Sequence, residues 1–315
     1  MAQHYLNPLF APQSIAVIGA SNRPRSVGGV VFANLMNGYQ GKLYAVNPKH
    51  PEIQGRPAFA SIDQIGEPVD LAVIATPAAT VPGIVEACGK RGVRAAVILS
   101  AGFGEAGASG ASLQQELLER ARRYGMRVIG PNCLGVMRPV LGLDATFSNG
   151  GAKPGKLALV SQSGALCTAI LDWARPNDIG FSAMVSLGDS ADVDFGDILD
   201  FLVSDPLTEA ILLYIEGIRG ARRFMSALRA AARIKPVIAV KTGRREAGEK
   251  AALSHTGALV VADNVFDAAL RRAGAVRVQT VAQLFTVAQA LSSDFHPRGN
   301  RLAIVTNGGG PAVMA

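Results

Sequence analysis

The chain has 315 residues, 49% hydrophobic and 17% charged, with a formal charge of +7. That length and apolar share suit two α/β domains with buried sheets, and no apolar run approaches the ~20 residues that span a bilayer. Met1 to Pro8 lacks the charged, apolar and small-residue succession of a secretory signal, so cytoplasmic residence without a membrane partner is expected.

Cys88, Cys133 and Cys167 are odd in number and far apart, which excludes a disulfide framework and a thiolate metal site; they read as small buried residues. Ten lysines or arginines stand between Arg219 and Lys250 against Glu246 and Glu249. Phe224 is the one aromatic residue there, so the stretch reads as a solvated helix near an anion site rather than a nucleic-acid surface.

Strand-length apolar runs alternate with helix-length segments, the pattern of parallel sheets built from βαβ units. Ser14–Ile18, Leu43–Val46, Leu71–Ala75, Ala95–Leu99 and Arg127–Ile129 form a first series, with helices over Gly28–Met36, Val81–Gly92 and Ala111–Tyr124 between them. Such a series predicts a Rossmann-like domain. After a loop-rich stretch from Pro131 to Pro154, a second series runs Leu157–Ser161, Ser182–Ser186, Ala210–Ile215, Val237–Lys241 and Val276–Val278. It fits a flavodoxin-like domain, with a boundary expected near Gly150, so that residues 1–150 and 151–299 form the two domains. Leu302–Thr306 and the turn Asn307–Pro311 read as the opening of a third α/β domain over 300–315, which makes this chain the expected front portion of a longer protein.

Ligands of open parallel sheets gather at the carboxyl ends of the strands. The first such turn, Gly19 to Gly29, is longer than Gly-x-Gly-x-x-Gly and lacks its spacing. At the end of the second strand, where an NAD site places an acid on the ribose diol, the chain has Val46-Asn47-Pro48-Lys49. A lysine there suits a phosphate, favouring a phosphorylated adenosine carrier such as NADP or coenzyme A over NAD. Thr76-Pro77, Ser100-Ala101-Gly102-Phe103 and Gly130-Pro131-Asn132 end further strands.

Two runs point to phosphate chemistry. Leu159-Val160-Ser161-Gln162-Ser163-Gly164 follows a strand and opens a helix, offering free N–H groups to an anion. Ala252-Leu253-Ser254-His255-Thr256-Gly257 sets a histidine, able to accept and pass on a group, among small residues. The acids Asp189, Asp192, Asp194 and Asp197 lack the glycine and terminal glutamate of a calcium loop; they read as a polar turn with helix-capping acids, and no metal site is expected.

Together, Ile18-Gly19-Ala20-Ser21, Val46-Asn47-Pro48-Lys49, Gly130-Pro131-Asn132, Val160-Ser161-Gln162-Ser163-Gly164 and Ser254-His255-Thr256-Gly257 resemble the nucleoside-diphosphate-forming acyl-CoA synthetases, across nearly the whole chain. The resemblance implies a CoA-binding Rossmann-like domain followed by a flavodoxin-like ligase domain. It makes His255 the residue that becomes phosphohistidine and Glu216 the carboxylate that holds its imidazole. Ser161, Gln162, Ser163, Gly164, Thr256 and Gly257 would cradle the phosphoryl group. Gly19, Ala20, Ser21, Ser26, Asn47, Pro48, Lys49, Thr76, Pro77, Ser100, Ala101 and Asn132 would line the CoA site, with the thiol end toward the second domain.

The implied reaction converts acyl-CoA, phosphate and ADP to acid, CoA and ATP through an acyl phosphate and phosphohistidine. The implied partner is an ATP-grasp domain or subunit, which alone would bring ATP or ADP with Mg; a homo-oligomer is also compatible. The same modules occur fused to an acetyltransferase domain in bacterial protein acetyltransferases, where they serve regulation. Ile170–Ala174, Ser186–Ser190 and Ala221–Phe224 lean that way, while the presence of His255 favours the ligase. An NADP-dependent reductase would explain neither His255 nor the Ser161 turn.

Overall fold

The computed structural model describes residues 4–242, 263–293, 299, 301 and 303–314. Each predicted strand series becomes one seven-stranded sheet. The first is ordered β3-β4-β2-β1-β5-β6-β7, with β1 at Ser14–Ile18, β2 at Lys42–Val46, β3 at Glu52–Ile53, β4 at Arg56–Phe59, β5 at Leu71–Ile74, β6 at Ala95–Ile98 and β7 at Arg127–Ile129. All its pairings are parallel except β3 with β4. Parallel strands buried on both faces read as continuous apolar runs, which is why β1, β5 and β6 are buried at every residue. Helix α1 (Asn7–Phe10) precedes β1, and helices α2 (Val27–Gly38), α3 (Val81–Lys90) and α4 (Ala108–Arg123) connect these strands.

The second sheet is ordered β14-β13-β12-β10-β11-β8-β9, with β8 at Gly135–Arg138 and β9 at Leu143–Thr146. Its parallel part is β10 (Lys153–Ser161), β11 (Gly180–Ser186), β12 (Ala210–Ile215), β13 (Val237–Lys241) and β14 (Val276–Val278). Helices α5 (Gly164–Ala174), α6 (Phe195–Ser204) and α7 (Ala221–Ala232) join its strands, and helices Asp263–Ala273 and Val281–Ser292 complete the described cover.

The stretch expected to be loop-rich carries two strands instead. β8 (Gly135–Arg138) and β9 (Leu143–Thr146) form an antiparallel pair that extends the second sheet beyond β11. That sheet therefore begins at Gly135, ahead of the boundary expected near Gly150. Alternation was hidden because two polar residues find partners within the fold: Arg138, 2% exposed, donates to Asp205 at 3.0 Å, and Asp144 accepts from the Thr146 hydroxyl at 2.7 Å. The β3–β4 pair also went unread, since only Ile53 of its residues is buried and it carries no continuous apolar run.

Of the expected strand Leu302–Thr306, residues 303–306 have no sheet partner among the described residues; Ile304 is 51% and Val305 97% exposed. Gly309–Met314 is helical. All three cysteines are buried, as their scatter implied.

Candidate functional site

In the first sheet the chain passes from β1 to β2 on one side and then crosses to β5 on the other, so the order reverses beside β1. A crevice opens at such a reversal, outside the strand ends. Here it is a cavity of about 900 Å³ whose lining includes Gly19, Ser21, Ser26, Asn47, Pro48, Lys49, Thr76 and Pro77.

Local chemistry fixes its walls. Gly19 has φ +92°, open to glycine without strain, and a Cβ at Gly28 would lie 1.9 Å from the Gly19 carbonyl oxygen. The start of α2 thus packs directly on the turn. Ser26 caps α2 by accepting from the Gly29 N–H at 3.2 Å, leaving the helix's first N–H groups at the crevice. The Asn47 side chain donates to the Ala20 carbonyl at 2.8 Å and accepts from the Lys49 N–H at 2.8 Å, tying the two strand-end turns together.

The other expected CoA residues behave differently. Ala20 is buried and contributes only its carbonyl. Ser100 supports the wall by donating to the Thr76 carbonyl at 2.5 Å, and neither it nor Ala101 lines the crevice. Asn132 faces a different cavity. Sequence reasoning missed Gln54, left-handed at φ +48°, whose amide donates to the Ser21 and Gly29 carbonyls at 3.1 and 2.9 Å; its one signal was the following Gly55.

The second cavity, about 420 Å³, lies where the carboxyl ends of the two sheets converge. Leu99 and Asn132 reach it from the first sheet; Gln162, Ser163, Gly164, Asp189 and Glu216 reach it from the second. Gln162 follows β10 and Glu216 follows β12, adjacent strands on either side of the order reversal. Ser163 caps α5 by accepting from the Leu166 N–H at 3.3 Å. The Ser161 hydroxyl accepts from the Ser163 N–H at 3.0 Å and donates to its carbonyl at 2.9 Å, so Ser161 shapes the turn from beneath. The start of α5 therefore presents N–H groups and the positive helix end to the cavity.

Glu216 is held through its backbone: its N–H donates to Gln162 Oε1 at 2.7 Å, the Gly217 N–H does so at 3.0 Å, and Gln162 Nε2 donates to the Gly217 carbonyl at 3.0 Å. Phe147 lines this cavity and also a hollow of about 240 Å³ beside Arg25, Val27 and Asn149, while Val27 lines that hollow and the large crevice. The hollow thus adjoins both the second cavity and the large crevice across shared wall residues.

Of the expected capping acids, Asp194 and Asp197 do form a capping box on α6. Asp189 does not cap; it faces the second cavity. Burial and contact with the Glu105 carboxyl push its acid up to about 7. Burial also disfavours the Glu105 anion, but hydrogen bonds from the Gly102 N–H, its own N–H, the Asp189 carboxyl and the Phe103 N–H together outweigh it and hold that carboxyl below its usual range. His255, Ser254, Thr256 and Gly257 lie outside the described residues. Among the described residues no cluster of three or more His, Cys, Asp or Glu could hold a metal, and no helix is long and apolar enough to cross a membrane.

Residues 13–139 match the CoA binding domain and residues 154–291 the succinyl-CoA ligase like flavodoxin domain. The chain is 46% identical to the α subunit of acetate–CoA ligase (ADP-forming) I of Pyrococcus furiosus, over 98% of this chain and 68% of that protein. The chain belongs to the ADP-forming acyl-CoA synthetase family. It is also 46% identical to acetate–CoA ligase (ADP-forming) I of Archaeoglobus fulgidus, over 98% of this chain and 44% of that one. The solved structure of the Ca. Korarchaeum cryptofilum dinucleotide forming acetyl-coenzyme A synthetase 1, in complex with phosphate and ADP, superimposes with a TM-score of 0.93 at 39% identity, covering 98% of this chain and 67% of that one. The chain thus spans about two thirds of an α subunit and under half of the A. fulgidus ligase. These relatives are ligases, in line with the main reading rather than the acetyltransferase-linked alternative.

Proposed function

We propose that this chain is the CoA-binding and phosphohistidine-bearing part of an acyl-CoA synthetase that makes ATP from ADP, with an ATP-grasp domain or subunit as its partner. The observation that carries this reading is the second cavity: a capped helix N-terminus and the Glu216 turn meet there at the carboxyl ends of both sheets, and a hollow beside Phe147 and Val27 lies between it and a crevice large enough for a nucleotide.

Acyl-CoA enters with its adenosine in the large crevice and its thioester in the second cavity. A ribose phosphate finds Lys49, and the N–H groups at the start of α2 face the diphosphate. Free phosphate at the α5 N-terminus attacks the thioester carbonyl carbon; the C–S bond breaks, and CoA leaves as thiol with one proton. The His255 imidazole then attacks phosphorus, the bond between phosphorus and the acyl oxygen breaks, and the acid departs as a carboxylate. Glu216 on the other ring nitrogen fixes the tautomer that keeps the attacking lone pair free. Transfer to ADP takes place on the ATP-grasp partner.

The test is phosphohistidine formation. The full-length protein, or this chain with its ATP-grasp partner, incubated with γ-labelled ATP and Mg, should take up an acid-labile, alkali-stable label that ADP discharges. His255→Ala should abolish it. A folded, CoA-binding protein without label would overturn the ligase reading and leave an acyl-CoA-sensing module.

A further inference from the structure

Among the described residues, the lining of the second cavity includes carboxyls where the proposed reaction needs an anion. Glu216 and Asp189 both line it, and the proposed substrate is inorganic phosphate, itself between one and two negative charges at neutral pH. An ionised Asp189 beside a phosphate in a partly enclosed space would repel it strongly enough to weaken binding at least ~10-fold.

The surroundings of Asp189 resolve the conflict. Its Oδ2 is buried without a hydrogen-bond donor among the described residues. Against the Asp189 carboxyl lies another, that of Glu105, from the loop after β6. Two carboxylates cannot hydrogen-bond each other, since both only accept; the contact closes when one carries a proton. Glu105 already receives the Gly102 and Phe103 N–H groups, which favour its anion, so the proton belongs to Asp189. The Asn132 amide, from the loop after β7, donates to Asp189 Oδ1 at 3.3 Å, and Arg219, from the loop after β12, pulls weakly toward ionisation. Burial and Glu105 together outweigh both.

We propose that Asp189 is the charge gate of the phosphate cavity: held neutral by Glu105 it admits inorganic phosphate, and on losing its proton it excludes it. The inference deepens the proposed ligase reading and rests on it for the identity of the anion. Asp189 acts here as a positioning residue, by setting the charge of the space in which phosphate must sit. Because Glu105 stands on the first sheet and Asp189 on the second, the gate also exists only while the two halves are apposed.

Calorimetric titration of inorganic phosphate into the full-length protein between pH 6 and 8.5 tests it. Wild-type affinity should fall ~10-fold or more across that range. Asp189→Asn, which keeps the shape and stays neutral, should lose most of the fall; the second ionisation of phosphate is common to both proteins and cancels. Glu105→Gln removes the charge that retains the proton and should move the wild-type fall to lower pH, weakening binding at pH 7. Equal pH slopes in wild type and Asp189→Asn, an unmoved profile in Glu105→Gln, or no phosphate binding at any pH would overturn the gate. A wild type that binds phosphate with the expected slope but forms no phosphohistidine would instead sink the ligase reading and leave the gate standing.

Discussion

The Gln162 carboxamide holds the Glu216 turn by three hydrogen bonds, accepting from the Glu216 and Gly217 N–H groups at 2.7 and 3.0 Å and donating to the Gly217 carbonyl at 3.0 Å. Gln162 is 8% exposed, so these backbone groups have little water to fall back on. Gln162→Ala should cost ~2 to 4 kcal/mol of stability, the penalty of stranding buried polar groups. Phosphohistidine labelling should slow ~100-fold as Glu216 loses its position. Glu216→Gln should slow labelling comparably while leaving the denaturation midpoint nearly unchanged. Unaltered labelling in Gln162→Ala would show that this bridge does not position Glu216.

Lys49 stands at the rim of the large crevice, where an acid would sit if the ligand carried a free ribose diol. Lys49→Ala should weaken CoA binding ~5- to 10-fold, corresponding to ~1 to 1.4 kcal/mol. Binding of 3′-dephospho-CoA should hardly change. Equal losses for the two ligands, measured by calorimetry, would remove Lys49 from the ribose phosphate.

At Gly28 a side chain meets backbone rather than a movable neighbour: its Cβ would sit 1.9 Å from the Gly19 carbonyl oxygen and 2.8 Å from the carbonyl carbon. Gly28→Ala must push α2 away from the β1 turn. A loss of at least ~2 kcal/mol in chemical denaturation is expected, within the ~1 to 3 kcal/mol usual for overpacking or above it, together with lost CoA affinity. By contrast, nothing among the described residues lies within 4 Å of a Cβ built at Gly83, although that residue lines the same crevice. Gly83→Ala should fold normally.

Asp144 titrates against the fold. Burial pushes its carboxyl up to about 6, with hydrogen bonds from Thr146 opposing that rise. The folded state therefore holds a proton that the unfolded chain releases above pH ~4. Its contribution is complete below that point and is lost as pH rises through about 6. Asp144→Asn keeps the acceptor for the Thr146 hydroxyl and should remove this slope. At pH 7.5 the variant should be more stable by on the order of 2 kcal/mol, and near pH 4 the two proteins should match. Denaturant midpoints at the two pH values decide it.

The sequence showed clearly whatever depends on neighbours along the chain. The strands of both parallel series were legible because a strand buried on both faces must be apolar throughout, as Ala95–Ile98 is. The turns at Gly19, Asn47 and Ser161 were legible because each follows such a strand and opens a helix or loop with small or polar residues. β8 and β9 escaped because Arg138 and Asp144 look like surface residues until Asp205 and Thr146 are brought against them.

What the sequence determined by itself was the pair of α/β sheets, the strand-end turns and the family, since these follow from local pattern and motif. Only the tertiary structure decided how the intended ligand residues divide between two cavities, with Asn132 joining Glu216 rather than Lys49. It alone also brought Glu105 against Asp189. A carboxyl's charge is set by what surrounds it in space, by burial and by nearby donors and acids, and residues from separate sheets meet only once the chain has folded.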